Sequence, residues 1–218
     1  MERYSHSALK QFGTCRRQFH ETRILELWPR EETAQTVYGT ALHKAAEDFI
    51  NDGVCVPVEF RTMTPVLNSL MAMKGVKHSE MELAVTMGLA PCAFNAPDAW
   101  MRGICDVVIL NGTTARVLDW KSGSNKYPDV SQLTLMALLL FAHYPHVEEV
   151  KSALVFVKHG AMVKHSTLRA QSKTLWAGIR MDVAIVERCH ELNDWRPHPS
   201  GLCAKYCVVR SCEHNGRN

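Results

Sequence analysis

The chain has 218 residues, of which 46% are apolar and 22% charged, with a formal net charge of +3. These are the proportions of an ordinary globular protein long enough to bury a core in one domain, and they exclude a fibrous or low-complexity chain. The mild positive charge permits nucleic-acid binding without demanding it.

The opening residues, Met1–His6, lack the apolar core of a signal peptide. Ser5-His6-Ser7-Ala8-Leu9 opens a helix with good capping residues, and Leu9, Phe12, Phe19 and Ile24 carry its apolar face to about residue 25. A second helix is expected over Ala34–Asn51, where Leu42, Ala45, Ala46, Phe49 and Ile50 recur at three- and four-residue intervals. Residues 62–74 read as another helix. Glu80–Leu89 and Ala99–Leu110 read as strands, and Asn111-Gly112 turns the chain into a third strand at Thr114–Lys121. The turn-rich loop Ser122–Pro128 leads to a helix over Val130–Tyr144 with an apolar middle. The longest apolar stretch there, Leu133–Ala142, is interrupted by Thr134 and too short to span a bilayer. A cytoplasmic protein without a membrane partner is therefore expected. Val150–Lys158 reads as a strand. Gln171–Leu192 reads as a long helix with Trp176, Ile179, Val183 and Val186 on one side. Trp195–Asn218 has no periodicity of its own, and the chain shows no internal repeat or interdomain linker.

Helices, three consecutive strands, a helix and a further strand make an α/β protein with a mixed central sheet flanked by helices. A single domain, 1–218, is expected, with its core at about 34–192. An N-terminal helix at 5–25 and a cysteine-rich tail at 195–218 lie outside that core.

The hairpin carries the chemistry. Asp106 sits early in one strand and Asp119-Trp120-Lys121 ends the next. With a side-chain period of two, Asp119 and Lys121 share a face while Trp120 points to the other and packs in the core. Two carboxylates brought into one cleft repel unless a hard cation lies between them, and Mg²⁺ takes one or two carboxylates plus water and phosphate oxygens. A lysine beside them stabilises charge developing on a phosphate or orients an attacking water. The competing reading is a pair of solvated surface charges. His43 and Glu47, four apart, share a helix face, where a histidine is either a packed core residue or a ligand. Glu80 and Glu82 share a strand face and are either exposed or placed to orient a metal-bound water.

Around these residues the chain resembles the PD-(D/E)XK nuclease superfamily, in particular its RecB-like branch of CRISPR-associated RecB-like and phage exonucleases. Gly103-x-x-Asp106 is similar to that branch's second motif and Asp119-x-Lys121 to its third. Gly39-Thr40-Ala41-Leu42-His43 matches the segment that ends in a helical histidine, and Gln132-Leu133 matches the downstream glutamine motif. The tyrosine expected four residues after that glutamine is Met136 here. The resemblance implies a restriction-endonuclease-like core and a metal-dependent DNA nuclease. Mg²⁺ or Mn²⁺ would be held by His43, Asp106, Asp119 and the Trp120 carbonyl. Asp106, Asp119, Lys121 and Gln132 would be catalytic, with Gln132 touching the lysine or DNA. It further implies products with a 5′-phosphate and a 3′-hydroxyl, and single-stranded or end-bearing DNA as substrate. Partner proteins of recombination, replication or CRISPR adaptation would accompany such an enzyme. The contrasting expectation is an inactive nucleic-acid-binding or partner-binding module of the same fold.

Eight cysteines without a signal peptide point to metal or redox use rather than to disulfides. Cys105 and Cys189 lie in a strand and a helix and read as small hydrophobes. Cys203-x-x-x-Cys207-x-x-x-x-Cys212 is the pattern of a metal-stapled loop, which needs a fourth ligand. Relatives in the resembling branch place one cysteine near the N-terminus and three near the C-terminus around a four-iron four-sulfur (4Fe-4S) cluster. By that resemblance Cys15 is the fourth ligand, clipping the two ends of the chain together. Arg16 stands where proline is frequent. Zinc in place of the cluster, and His214 in place of one thiolate, stay open. Arg16, Arg17, Lys121, Lys126, Lys151, Lys158 and Lys164 are candidates for a phosphate-binding surface.

Overall fold

The computed structural model describes residues 3–29 and 32–216. Met1, Glu2, Arg217 and Asn218, the ends of the expected domain, lie outside the described residues, as do Arg30 and Glu31. The helices are α1 (His6–Thr14), α2 (Arg16–Phe19), α3 (Ala34–Asp52), α4 (Thr64–Ala72), α5 (Ser131–His143), α6 (Ser172–Leu192) and α7 (Cys203–Tyr206). The strands are β1 (Val76–Thr86), β2 (Pro91–Cys92), β3 (Ala99–Asn111), β4 (Thr114–Lys121), β5 (Glu149–Phe156) and β6 (Ala161–Leu168). The described residues divide into two compact units, one of Arg3 and residues 32–175, the other of residues 4–29 and 176–216. No helix among the described residues is long and apolar enough to cross a membrane.

The larger unit is built on one six-stranded sheet in the order β2-β1-β3-β4-β5-β6. Every pairing is antiparallel except β4 with β5, which run parallel and are joined through α5. A parallel pair needs such a crossover, whereas the antiparallel β3–β4 pair closes in a tight turn at Asn111↔Thr114. Gly112 takes the left-handed conformation there, φ 57°, which glycine adopts without cost.

On one face Leu42, Ala46 and Ile50 of α3 and Leu67 and Leu70 of α4 close over Val107, Ile109, Leu118 and Trp120. A Thr33–Thr36 capping box starts α3, and Gly53, at φ 68°, ends it. Helix α5 is apolar all round and has eight buried residues, as an element enclosed by its neighbours must be. Gly103 of β3 lets it approach: a Cβ there would sit 3.1 Å from Leu139 Cδ1. Its C-terminal end is held by the Arg169 guanidinium, which donates to the carbonyls of Phe141, Tyr144 and Val147.

In the smaller unit α1 stops at Cys15, whose extended backbone (φ −162°, ψ 116°) separates it from α2. The helix expected to run unbroken to residue 25 is thus interrupted at a cysteine, and it continues from α2 into a π-helical turn, His20–Ile24. Thr14 bonds back to the Lys10 carbonyl, a competing interaction that loosens the last turn of α1. Phe19 is fully buried, packed edge-on to Phe12 at 5.5 Å. Trp195 stacks on His20 at 4.5 Å between ring centres. The buried Glu21 carboxylate accepts from Arg17, Trp28 and Ser211, and Arg17 also reaches Glu213 and the Ser211 carbonyl. A charge network therefore ties the N-terminal helices to the tail.

Strand β6 is absent from the expected elements. Its residues alternate between half-buried and exposed until Thr167, as on a sheet edge, so its apolar content is low. Strand β1 begins at Val76 rather than Glu80, because its first half, Lys77-His78-Ser79, is polar and only half-buried.

Candidate active site

Strands β3 and β4 carry two carboxylates into the interior: Asp106 is 8% exposed and Asp119 1%. Asp106 is fixed through its Oδ2, which accepts the backbone N–H of Trp120 at 2.7 Å. The Trp120 ring is buried in the α3–α4 core, on the face opposite Asp119, as the alternation requires. Its amide is a hydrogen-bond partner that side-chain patterns do not disclose.

Asp119, Lys121 and Gln132 form a closed set. The Gln132 amide at the start of α5 donates to Asp119 Oδ1 at 2.6 Å, and its carbonyl accepts from Lys121 Nζ at 2.7 Å. Lys121 Nζ lies 2.6 Å from Asp119 Oδ2 as an ion pair. That oxygen has no aligned hydrogen-bond donor and is buried. A buried carboxylate oxygen left without a hydrogen bond is costly unless a cation meets it.

Beside this set, His43 Nδ1 on α3 lies 3.4 Å from Asp106 Oδ2 and 3.7 Å from Glu80 Oε1. Ligand atoms of His43, Glu80 and Asp106 all fall within 4.8 Å of one another, the geometry of a site able to hold a metal ion. Asp119 stands outside that trio, although its charge is felt by it. Burial and the nearby Asp106 push its carboxyl up to about 7, against the pull of Lys121 and His43. Burial works against charge on His43, but hydrogen bonds and attraction from Asp106 and Glu80 outweigh it and lift the imidazole to about 10. Three carboxylates gathered with one imidazole and one ammonium carry the donor set that a hard divalent cation takes.

Glu80 is the residue that sequence periodicity misplaces. As a plain strand residue it shares a face with Glu82. In the structure its φ is 46°, a left-handed excursion within β1, and it joins His43 and Asp106 while Glu82 stays exposed. Such strain in a non-glycine residue costs about 1–2 kcal/mol and collects at functional sites. Glu47 turns instead to Lys44, at 3.3 Å. Gly39 brings α3 against the loop after Lys121, where its Cβ position is 3.4 Å from Ser122 Oγ.

In the smaller unit Cys15, Cys203, Cys207 and Cys212 all line one cavity of about 80 Å³. Burial pushes the Cys207 thiol up, opposed by the Val209 backbone, and the other three thiols add to the rise. Backbone N–H groups of His198 and Ser200 donate to the sulfurs of Cys15 and Cys203, at 3.4 and 3.3 Å. His214 lines the same cavity. Of the other cysteines Cys105 and Cys189 are buried, Cys92 is half-buried and Cys55 is exposed.

A mixed sheet with a carboxylate–lysine pair at the end of its second hairpin strand defines a restriction-endonuclease-like α/β fold. The chain belongs to the PD-(D/E)XK nuclease superfamily, whose profile matches residues 3–73 and 59–212. Among solved structures it is similar to a proposed exonuclease from Eubacterium rectale, at a TM-score of 0.54 and 10% identity, over 100% of this chain and 88% of that one. It is also similar to the protein SSO0001, at a TM-score of 0.48 and 13% identity, over 97% and 86% of the two chains. No curated protein matches the sequence.

Proposed function

We propose that this protein is a divalent-metal-dependent deoxyribonuclease that hydrolyses phosphodiester bonds from the ends of DNA strands, with its two units working as one nuclease domain. The observation that carries the reading is the buried Asp119, held by Gln132 and Lys121 next to the His43–Glu80–Asp106 trio. His43, Glu80, Asp106 and Asp119 offer the hard oxygen and imidazole donors that Mg²⁺ or Mn²⁺ takes, and the Trp120 carbonyl is the remaining donor assigned to it. The ion, when bound, supplies Lewis acidity toward water and the phosphate oxygens.

The chain's own groups then have separate tasks. Trp120 N–H fixes one carboxylate rotamer of Asp106. Gln132 holds Asp119 and Lys121 in mutual register, so the ammonium stays between the amide and the carboxylate with one proton left for a phosphate. The exonuclease name of the Eubacterium rectale protein supports action at strand ends. End-labelled single-stranded DNA should be shortened stepwise in Mn²⁺ or Mg²⁺, and poorly in Ca²⁺, which binds with looser geometry. A circular strand should resist. Degradation in EDTA by metal-stripped protein overturns the metal reading, cutting of circles overturns the end requirement, and no cleavage under any metal leaves a binding module.

Glu80 offers a separate check. Glu80→Gly relieves the left-handed strain but also removes a carboxylate paired with His43 and loosens the unfolded chain, so the metal-free protein should stay within about 1 kcal/mol of the parent. The same variant should lose Mn²⁺ affinity by titration calorimetry. A less stable variant with unchanged Mn²⁺ binding removes Glu80 from the site.

The proposal also includes a 4Fe-4S cluster on Cys15, Cys203, Cys207 and Cys212. What supports it is that all four thiols line one cavity. They surround a space several times larger than the roughly 10–15 Å³ that one water needs. Backbone N–H groups aimed at two of the sulfurs are the donors that iron–sulfur thiolates use.

A further inference from the structure

The larger unit has a second concave surface, a groove of about 750 Å³ between α4 and the sheet over β4, β5 and β6. It lies on the face opposite Asp119. Strand register shows why: Leu118 pairs with Ala153, Ala153 with Lys164 and Arg116 with Lys151, so all of these share the face of Leu118 and Trp120. Its lining is largely apolar: Leu70, Leu118 and Ala153 are themselves buried, and half-buried Val66 and Met73 and the 41% exposed Met162 are the apolar side chains it leaves accessible.

The groove's charges are of one sign and poorly compensated. Lys151 shares Glu149 at 3.4 Å, while Arg116 and Lys164 have no ionic or hydrogen-bond partner among the described residues. Like charges directly opposite across a strand pair, as Arg116 and Lys151 are, destabilise a sheet. Carboxylates arriving from outside would remove that repulsion. An apolar trough more than 300 Å³ in size, with a basic rim, matches a segment that brings both apolar side chains and acids. A nucleic-acid strand fits it less well, because among the described residues no Phe, Tyr or Trp lines the groove to stack a base and its single imidazole, His165, is already bonded to Thr134.

We propose that this groove docks an acidic amphipathic helix of a partner protein, its apolar stripe on Val66, Met73 and Met162 and its acids on Arg116 and Lys164. Helix-in-groove recognition uses this combination, apolar anchors for affinity and rim charges for orientation and on-rate. The site is separate from the nuclease reading and stands or falls without it.

The test uses the full-length protein and a fluorescein-labelled synthetic helix of about 14 residues, long enough to hold a helix once docked, with leucines at helical spacing and glutamates elsewhere. Its scrambled isomer and an oligo-dT strand are the competing probes. Saturable binding of the helix is expected. It should weaken about tenfold with the scrambled isomer and with Arg116→Gln/Lys164→Gln. It should also be lost in Ser69→Trp, which fills the groove from an exposed position on α4. Equal binding of the scrambled isomer, indifference to both variants, or no saturation overturns the proposal. So does a loss of oligo-dT binding in these variants while the helix still binds, which would make the groove a nucleic-acid path.

Discussion

Asp119→Asn and Lys121→Met should each lower DNA cleavage by about a hundred- to a thousandfold, the usual cost of removing one charge-stabilising group from a prepared site. Their effects on the fold should differ in sign. Asp119 is almost fully buried and its carboxyl is pushed up to about 7, so charge there is a burden to the metal-free protein. Asp119→Asn keeps the shape and the bond from Gln132 in reach, and removes the repulsion with Asp106. It should leave thermal stability unchanged or raised. Lys121→Met removes the only cation within 4 Å of Asp119 among the described residues and should lower it. Gln132→Ala leaves both charges in place but frees them from each other, and should cost about 10–100-fold, as the loss of an orienting partner does. Gel-based cleavage of an end-labelled strand, with melting curves on the same preparations, reads both quantities. Near wild-type cleavage by well-folded Asp119→Asn and Lys121→Met would remove the pair from the chemistry.

How far this site can be read from sequence depends on which signal each residue leaves. The hairpin is legible because two apolar runs, Asp106–Leu110 and Ala115–Leu118, flank Asn111-Gly112, and the strand period of two then puts Asp119 and Lys121 together and Trp120 behind them. His43 and Gln132 are legible only through their motifs, since their helices could equally present them to the core. Glu80 leaves no such trace. A left-handed residue in a strand is normally marked by glycine or asparagine, and a glutamate held there by its surroundings reads as ordinary strand. The break at Cys15 is hidden for a related reason: Phe12 and Phe19 are seven apart, a spacing that an unbroken helix would also give. The backbone donors, Trp120 N–H to Asp106 and those to the sulfurs, belong to no side-chain pattern and appear only once the chain is folded. Edge strand β6 is faint because an edge needs little apolar surface.

The largest effect on the fold itself is expected in the smaller unit. Protein purified without oxygen should be brown, with broad absorption near about 400 nm, and should contain iron and acid-labile sulfide. Cys15→Ser, Cys203→Ser, Cys207→Ser and Cys212→Ser should each bleach it. Each should also lower stability by about 3 kcal/mol, which is about 6–12 °C in Tm for a chain of this size. Cys55→Ser, Cys92→Ser and Cys189→Ser should leave the colour unchanged. The reason for so large an effect is that the tail has little core of its own. Among its described residues after 195, Val209, Cys212 and Asn215 are buried, and α7 is four residues long. What remains without the metal includes the Trp195 stack on His20 and the Arg17–Glu21–Ser211 network, of which the second is separable by pH. Burial would raise the Glu21 carboxyl, but hydrogen bonds from Arg17, Trp28 and Ser211 outweigh it and hold it below the ordinary 4.5. Its contribution is therefore complete above pH 4.5 and is lost as pH falls through the lower folded value. A bleached variant should keep its N-terminal helices and tail together at neutral pH and lose them in acid, as seen by protease cutting within 195–216. Colourless protein with one equivalent of zinc would keep the four-thiolate site and discard the cluster. Metal-free protein in which Cys15→Ser changes neither colour nor stability would discard the site.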